Sequence, residues 1–513
     1  SRNLLVDLLN SLPQRFSSAD TRGSALGPAI TASLAALASR GGQVVTFAAS
    51  YSSIGCGSLS PRDVPESTLY GTDKEPSLFV PRETFWRELG EECAEQGVGV
   101  NLFLCPSEPV EIGTIGTVAS LTGGDIFFYP RYNPSLDELT LLSQLRRLFT
   151  RETAYNCIVR VRCSKGLRVS DYLGNIYQRS TLDVDIATCD SDKAICASFE
   201  HSGVSLDDRG NAYIQSAILY TTSSGERRVR TCNIAVPVCT LAGNVYRHTH
   251  QETLITYWTK QAIAEMSSRP LQKIRDDLTQ KCAAILLSYR KNCAASTPPS
   301  QLILPEQLKL LPIFTLTITK NRALKGRNVV SDVRNYHAHR LVAFGVRPTM
   351  NFLYPQVLAL HDLMENVCFP DQSTGRVEFP ALMRDSYVWM QNNGLYLSDN
   401  EEQMILWIGG SISPQLLQDL YGVESMHELD PLNVRDSKPP LGTATLISTQ
   451  LHNILLYRES RRGRKIKFTI ARQDLDASEI DFSDMLVEDK NNDAMSYVDY
   501  LCFVHKQIDD AVS

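Results

Sequence analysis

Near residue 151 the spacing of apolar residues changes, so the two sides of that point cannot belong to one sheet or one bundle. Before it, helix-like and strand-like stretches alternate. "SALGPAITASLAALASR" (24–40) ends at Gly41-Gly42, "QVVTFAA" follows as a short buried strand, and "RETFWRELGEECAEQG" is an amphipathic helix leading into the strand "VGVNLFLC". "GTIGTVASLTGG" and "DIFFYP" repeat the order. This alternation predicts a parallel sheet covered by helices. After 151 come short β-like segments, "CIVRVRCS", "LRVSDYLGNIY", "LDVDIAT", "AICASFEH", "AYIQSAILYTT" and "RRVRTCNIAVPVC", with turn residues such as "SSGE" between them. They predict an antiparallel sandwich.

From about 249 the period is helical again, interrupted by the Pro/Ser-rich loop "AASTPPSQLILPEQ". Past 350 it is mixed. "NGLYLSDNEEQMILWIGG" predicts a β-hairpin, and the tail predicts two helices around a polar loop. Four domains result: 1–150 (α/β), 151–248 (β-sandwich), 249–350 (all-α) and 351–513 (a small α/β domain with C-terminal helices). The start, "SRNLLVDLLNSLPQRF", reads as an amphipathic helix rather than a signal peptide.

Composition narrows the function classes. A net charge of −6 gives no bulk attraction to nucleic acid. The 13 cysteines show no C-x-x-C pair or regular spacing, which argues against a zinc ribbon or a disulfide framework and for a reducing compartment. No 18-residue apolar run is present. No nucleophile-elbow, P-loop or dinucleotide-binding motif occurs, and no catalytic residue is assigned. "GCGSLSPR" reads as a glycine-rich loop after a strand, with phosphate binding as its minor alternative. His248/His250 ("HTH") and His337/His339 ("HAH") lack a third ligand nearby, and residues two apart on a helix diverge, so both pairs read as structural. Trp389 and Trp407 read as core of the last domain.

Three basic clusters are the candidate sites. In "VRVRCSKGLR" (159–168), Arg160 and Arg162 share one face of a strand. They could grip a carboxylate-bearing peptide, or pair internally with the acidic strand "LDVDIATCDSD". In "GERRVR", Arg228 and Arg230 share a face, with Arg227 and Val229 on the other. Residues 146–247 carry 14 Lys/Arg and 10 Asp/Glu, a local excess of positive charge. The third cluster, "RESRRGRKIK" (458–467), contains Arg461, Arg462, Arg464 and Lys465; it suits an anionic membrane surface or a solvated helix end.

Several of these segments carry a family resemblance. "LLVDLLNSLP", "FFYPRYNPS", "LRRLFTRETAYNCIVRVRCSKGLRVSDYLGNIYQRST", "LYTTSSGERRVR", "RPTMNFLYPQVLALHDL" and "MLVEDK" followed by "SYVDYLCFVHKQI" resemble, in order, the cargo-adaptor subunit of the inner COPII vesicle coat. The resemblance implies a partial von Willebrand A-like trunk, a β-sandwich, a helical domain and a gelsolin-like domain. The family's zinc ribbon and first trunk segment lie outside this sequence, so no cofactor is expected in it. The resemblance further implies a non-enzymatic adaptor in the cytoplasm, peripheral on endoplasmic-reticulum exit-site membranes and vesicles. Its partners would be cargo and SNARE cytosolic peptides, the GTPase-activating sister subunit and the anionic membrane, with no nucleic acid. Arg160, Arg162, Leu219, Arg228 and Arg230 resemble the family's pocket for acidic export signals; Leu219 would supply its apolar wall. The alternative within the same coat is the GTPase-activating subunit, which needs an arginine finger, for which Arg435 and Arg458 are candidates. A metal-dependent adhesion protein is disfavoured by the cysteine usage and by the lack of an N-x-[ST] acceptor outside "NPS", where Pro134 forbids it.

Overall fold

The computed structural model describes residues 2–18, 23–180, 182–298, 300–326, 329–430 and 445–512. The first lobe holds α1 (Arg2–Arg15), α2 (Leu26–Leu37), α3 (Thr84–Glu95), α4 (Ile112–Ile115), α5 (Thr117–Thr122) and α6 (Pro134–Thr150) around the strands β1 (Gly42–Ala48), β2 (Val98–Leu104) and β3 (Ile126–Phe128). These strands pair in parallel in the order β1-β2-β3, as the alternation predicts. Residues alternate between two faces. Val100, Leu102 and Leu104 join Trp86, Leu89 and Val118 on one, while Phe103 stacks on Phe127 at 4.3 Å on the other. The loop "GCGSLSPR" serves this packing: the Gly57 carbonyl accepts a hydrogen bond from Trp86 Nε1 at 3.1 Å. A side chain at Gly57, where φ is +70°, would meet the Phe85 ring.

The second lobe comprises β4 (Thr153–Cys163), β5 (Leu167–Leu173), β6 (Asp183–Asp190), β7 (Cys196–His201), β8 (Asn211–Thr221) and β9 (Arg227–Pro237). An antiparallel sheet of order β6-β4-β8-β9 is accompanied by the β5-β7 pair. Cys157, Val159, Val184 and Ile186 form its small core with Tyr172.

The helical lobe runs through α7 (Ala242–His248), α8 (Gln251–Glu265), α9 (Leu271–Cys293), α10 (Leu311–Lys320), α11 (Ser331–Ala343) and α12 (Val346–Leu353). The fourth lobe is built on β10 (Gln356–Ala359), β11 (Leu395–Asp399), β12 (Gln403–Ile408) and β13 (Lys467–Arg472), with α13 (Pro414–Tyr421), α14 (Leu446–Arg462) and α15 (Ser478–Met485) around the sheet. β11 and β12 form the expected antiparallel hairpin, and β13 joins β12 in parallel. Trp407 lies in the core against Phe482, 5.8 Å between ring centroids. Trp389 is a correction: it is 52% exposed, with Arg384 beside its ring. Its segment is a single 3₁₀ turn in which Tyr387 packs on the Trp407 and Phe482 rings and Trp389 stays exposed.

The last helix, α16 (Tyr497–Asp510), does not stay with the fourth lobe. Tyr500, Val504 and Ile508 are buried in the core of the helical lobe beside Leu278, Cys282 and Leu316. The final segment of 351–513 therefore completes the preceding domain.

Candidate functional site

The β-register decides which of the candidate residues meet. In β4, Arg160 lies opposite Asp183 of β6 and Ala217 of β8; Arg162 lies opposite Gln215, and Ile158 opposite Leu219. Directly opposed residues share a sheet face. Arg160, Arg162 and Leu219 thus occupy one face, with Leu219 half-buried along it. On the next strand Leu219 opposes Val229, whereas Arg228 and Arg230 oppose Tyr220 and Ile218. The grouping of five residues in one pocket is therefore corrected. Arg228 and Arg230 project from the opposite face, that of Val159, and Arg228 pairs with Glu226.

On the first face the internal ion pair forms. Arg160 Nε donates to Asp183 Oδ1 at 2.6 Å, and its Nη2 reaches the other oxygen. This hydrogen-bonded guanidinium holds the Asp183 carboxyl below its ordinary range. Arg162 is exposed; among the described residues it makes a long contact, 3.5 Å, to Gln215 Oε1 and adds to the positive field on Asp183. Gln215 in turn donates to Asn233 on β9 at 2.9 Å. The face thus offers one guanidinium already matched to a carboxylate, a second beside it with spare donors, and an apolar flank of Leu219 and Val229. A carboxylate can bind Arg162 directly, or displace Asp183 from Arg160.

The third basic cluster is largely turned inward, which corrects the membrane-facing assignment of Arg462 and Arg464. Arg462, at the C-terminal end of α14, donates to Asp399 at 2.9 and 3.0 Å and to Glu401 at 2.9 Å, with 8% of its side chain exposed. Arg464 reaches Glu402 at 3.2 Å. The acidic turn "SDNEEQ" of the β11–β12 hairpin draws both from the surface. Arg461 stays exposed, and Lys465 is half-buried with its backbone N–H on Ser143 Oγ at 2.8 Å. Arg458 is also turned inward, toward Gln356 and Asp399. Arg435 lies outside the described residues.

A buried charge network joins the lobes, and the sequence reading missed it. Arg151 donates to Asp125 at 2.5 Å and lies 2.8 Å from Asp190; Lys193 bonds Asp190 at 2.7 Å; Arg340 bonds Glu402 at 2.9 Å and lies 3.8 Å from Asp125. Burial raises both carboxyls, but the surrounding cations outweigh it: Lys193, Arg151 and Arg340 hold Asp125 low, and Arg340 with Arg464 holds Glu402 down to about 2. Of its carboxylates only Glu402 lies in a visible acidic run, DNEE, while Arg151 pairs with Asp125 and Asp190, which stand in segments read as strands.

The "HAH" pair lies in α11, as its pattern predicts. His339 is buried, its Nδ1 3.0 Å from Ser120 Oγ, with Asn175 Nδ2 near its Nε2. Burial pushes His337 and His339 down to about 3, aided by nearby cations and opposed by Glu402 at His337 and by Asp125 at His339. Both are neutral in the folded chain, whereas an unfolded histidine titrates near 6.5. Below about pH 6.5 the unfolded state binds more protons, so stability falls with pH in the window from 6.5 toward 3, by up to about 1.4 kcal/mol per pH unit per histidine. Urea unfolding should show a lower midpoint at pH 5.5 than at 7.0, and His339→Gln should flatten that dependence. Equal midpoints at the two pH values would contradict it. Among the described residues no group of three or more His, Cys, Asp or Glu is placed to hold a metal ion. None of their helices is long and apolar enough to cross a membrane.

Comparison with known proteins matches three domain models in order: the Sec23/Sec24 trunk domain over residues 1–149, the Sec23/Sec24 beta-sandwich domain over 154–239 and the Sec23/Sec24 helical domain over 250–351. The chain belongs to the Sec23/Sec24 family. Human protein transport protein Sec24C is 34% identical over 99% of this chain and 45% of its own length. Protein transport protein SEC24 B of Arabidopsis thaliana is 31% identical over 99% of this chain and 45% of its own. The crystal structure of the human COPII-coat protein Sec24c superposes with a TM-score of 0.90 at 33% identity, covering 99% of this chain and 64% of that one. This family member spans about half the length of the curated relatives it matches.

Proposed function

We propose that this chain is the cargo-selecting part of an inner COPII coat subunit that packages proteins leaving the endoplasmic reticulum. The observation that carries the reading is its match to a COPII-coat Sec24 structure over nearly its whole length. The outer sandwich face at Arg160, Arg162 and Leu219 would hold the carboxylates of a short cytosolic export or SNARE signal. The trunk would meet the sister inner-coat subunit, and Arg461 with Lys465 would face anionic lipid. The protein would act as an adaptor without catalysis of its own, peripheral on exit-site membranes. The GTPase-activating alternative gains nothing from Arg458, whose side chain is only 12% exposed and turned onto Gln356 and Asp399.

Short peptides bury little area, so micromolar or weaker affinity is expected, with coat avidity supplying retention. A labelled Asp-x-Glu peptide titrated against the chain should lose at least about tenfold in affinity in the Arg160→Ala/Arg162→Ala variant, the loss expected for removing charge-assisted hydrogen bonds. Asp183→Ala should bind the peptide more tightly than the parent by freeing Arg160. Undiminished binding by the double variant would remove this face as the peptide site.

A further inference from the structure

Where all four lobes meet, a cavity of about 340 Å³ opens between α6, the 191–194 turn after β6, the α11–α12 corner and the C-terminal half of α14. Nine arginine and lysine side chains line it against three carboxylates. Even counting Asp190, Asp399 and Glu402, which reach the same cations from behind, positive charge is in excess. Three guanidinium nitrogens behind this wall are buried without an acceptor: Arg151 Nε, Arg458 Nε and Arg462 Nη1. The Arg151 and Arg462 side chains are each 8% exposed. Arg347 and Arg461 stand exposed at the rim.

A buried charged donor without an acceptor costs more than a neutral one, and native structures rarely keep it. These three nitrogens lie behind the wall rather than on it, so the demand for oxygen acceptors from the cavity rests on the excess of guanidinium and ammonium groups that line it, with Arg347 and Arg461 at its rim. Water supplies acceptors but no charge, and the excess of cations would remain. Burial pushes Arg458 down, with Asp399 and Glu401 opposing and Arg462 and Arg347 adding to it, whereas at Arg151, Arg340 and Arg462 burial is outweighed by carboxylate partners, which raise them; the positive charge left over sits on the rim arginines. One carboxylate presents two oxygens along one edge, too few for donors set on separate elements. Phosphoryl groups present oxygens in several directions and suit guanidinium forks. The volume is that of a small-molecule site, roughly 300–1,000 Å³.

We propose that this junction cavity binds a multiply phosphorylated small molecule, either a free inositol-polyphosphate-type ring or the phosphorylated headgroup of a lipid. Bound there, it bridges trunk, sandwich, helical and gelsolin-like lobes and fixes their relative placement. The site is separate from the peptide face of Arg160 and Arg162 and does not depend on it.

Calorimetric titration of the full chain with inositol hexakisphosphate, at roughly physiological ionic strength where surface charges are screened, should give one site per chain. Arg347→Ala/Arg461→Ala removes only exposed rim arginines, so folding is kept; it should weaken binding at least about tenfold, as loss of charge-assisted hydrogen bonds requires. Arg209→Ala and Arg160→Ala/Arg162→Ala should leave it unchanged. Hydrogen exchange should slow at 147–151, 191–194 and 458–464 on binding. A second arm uses phosphatidylcholine vesicles with and without phosphatidylinositol bisphosphate. Rim-dependent pelleting with the lipid, without binding of the free ring, assigns the ligand to the membrane; the reverse assigns it to the soluble compound. No binding in either arm overturns the proposal. So does inorganic phosphate binding as tightly, or an equal loss in all three variants, which would mean diffuse surface attraction.

Discussion

Replacing Arg340 with alanine should destabilise the chain by about 3–5 kcal/mol, the range for removing one partner of a buried ion pair. Arg340 is clamped on Glu402 at 2.9 and 3.2 Å and faces Asp125 at 3.8 Å. Its loss strands Glu402 in a site where only Arg464 and the Tyr336 hydroxyl remain as partners. It also weakens the field that keeps Asp125 ionised. The guanidinium further covers the Phe344 ring, so alanine loses packing as well as charge. Adding Glu402→Gln should recover part of the loss, because the uncompensated charge is gone; a double-mutant cycle measures that coupling. The expected readout is faster hydrogen exchange in both β3 and the β11–β12 hairpin, since the pair ties helix α11 to each. A variant with parental protection in both would show that the network adds nothing to stability.

The elements most legible in the sequence were those whose pattern is local. Alternation before 151 gave the parallel trunk sheet, and the hairpin around "SDNEEQ" appeared where its polar turn interrupts two apolar runs. Parity within a strand was also readable: Arg160 with Arg162, Arg228 with Arg230. What one strand's parity cannot supply is the register to its neighbour, and a one-residue slip moves a side chain to the opposite face. Leu219 opposite Val229 is the fact that separates the two arginine pairs, and it exists only in the assembled sheet. The burial of Arg462 and Arg464 was hidden for a related reason. Their partners, Asp399, Glu401 and Glu402, lie about sixty residues away in sequence, and a basic run before a glycine looks the same whether solvent or carboxylates face it. Trp389 misled because its turn sets Tyr387, not Trp389, against the core rings of Trp407 and Phe482, a choice apolar size does not reveal.

The boundary drawn at 351–513 overlooked the return of the chain to the helical lobe, and Lys320 is the residue on which that return turns. At the end of α10 its buried ammonium donates to the carbonyls of Val487, at 2.8 Å, and Asp489, and to Asn491 Oδ1 at 3.0 Å. Burial, partly offset by Asp489 and Glu488, pushes its pKa down to about 8, so it stays charged at neutral pH. Lys325 extends the tie to Asp484 and Asn492, at 2.9 and 2.8 Å. Lys320→Met keeps the stem's volume but leaves three acceptors in that pocket without their donor. Each charged hydrogen bond is worth about 1.5–3 kcal/mol, and relief of the buried charge returns some of it, so a net loss of about 3 kcal/mol is expected. That corresponds to roughly a hundredfold faster local opening. The acceleration should fall on 486–492 and on α16, because Tyr500, Val504 and Ile508 reach their core only if the preceding segment is held. The face of the β10–β13 sheet covered by α13 and α14 should keep its protection, and the opposite face, which shares Leu486 with the opened segment, should lose only a little. If the sheet and α16 lost protection together, the C-terminal segment would be one cooperative unit with the gelsolin-like lobe. If α16 alone opened, the lobe and the helix would be energetically separate, with Lys320 as the hinge between them.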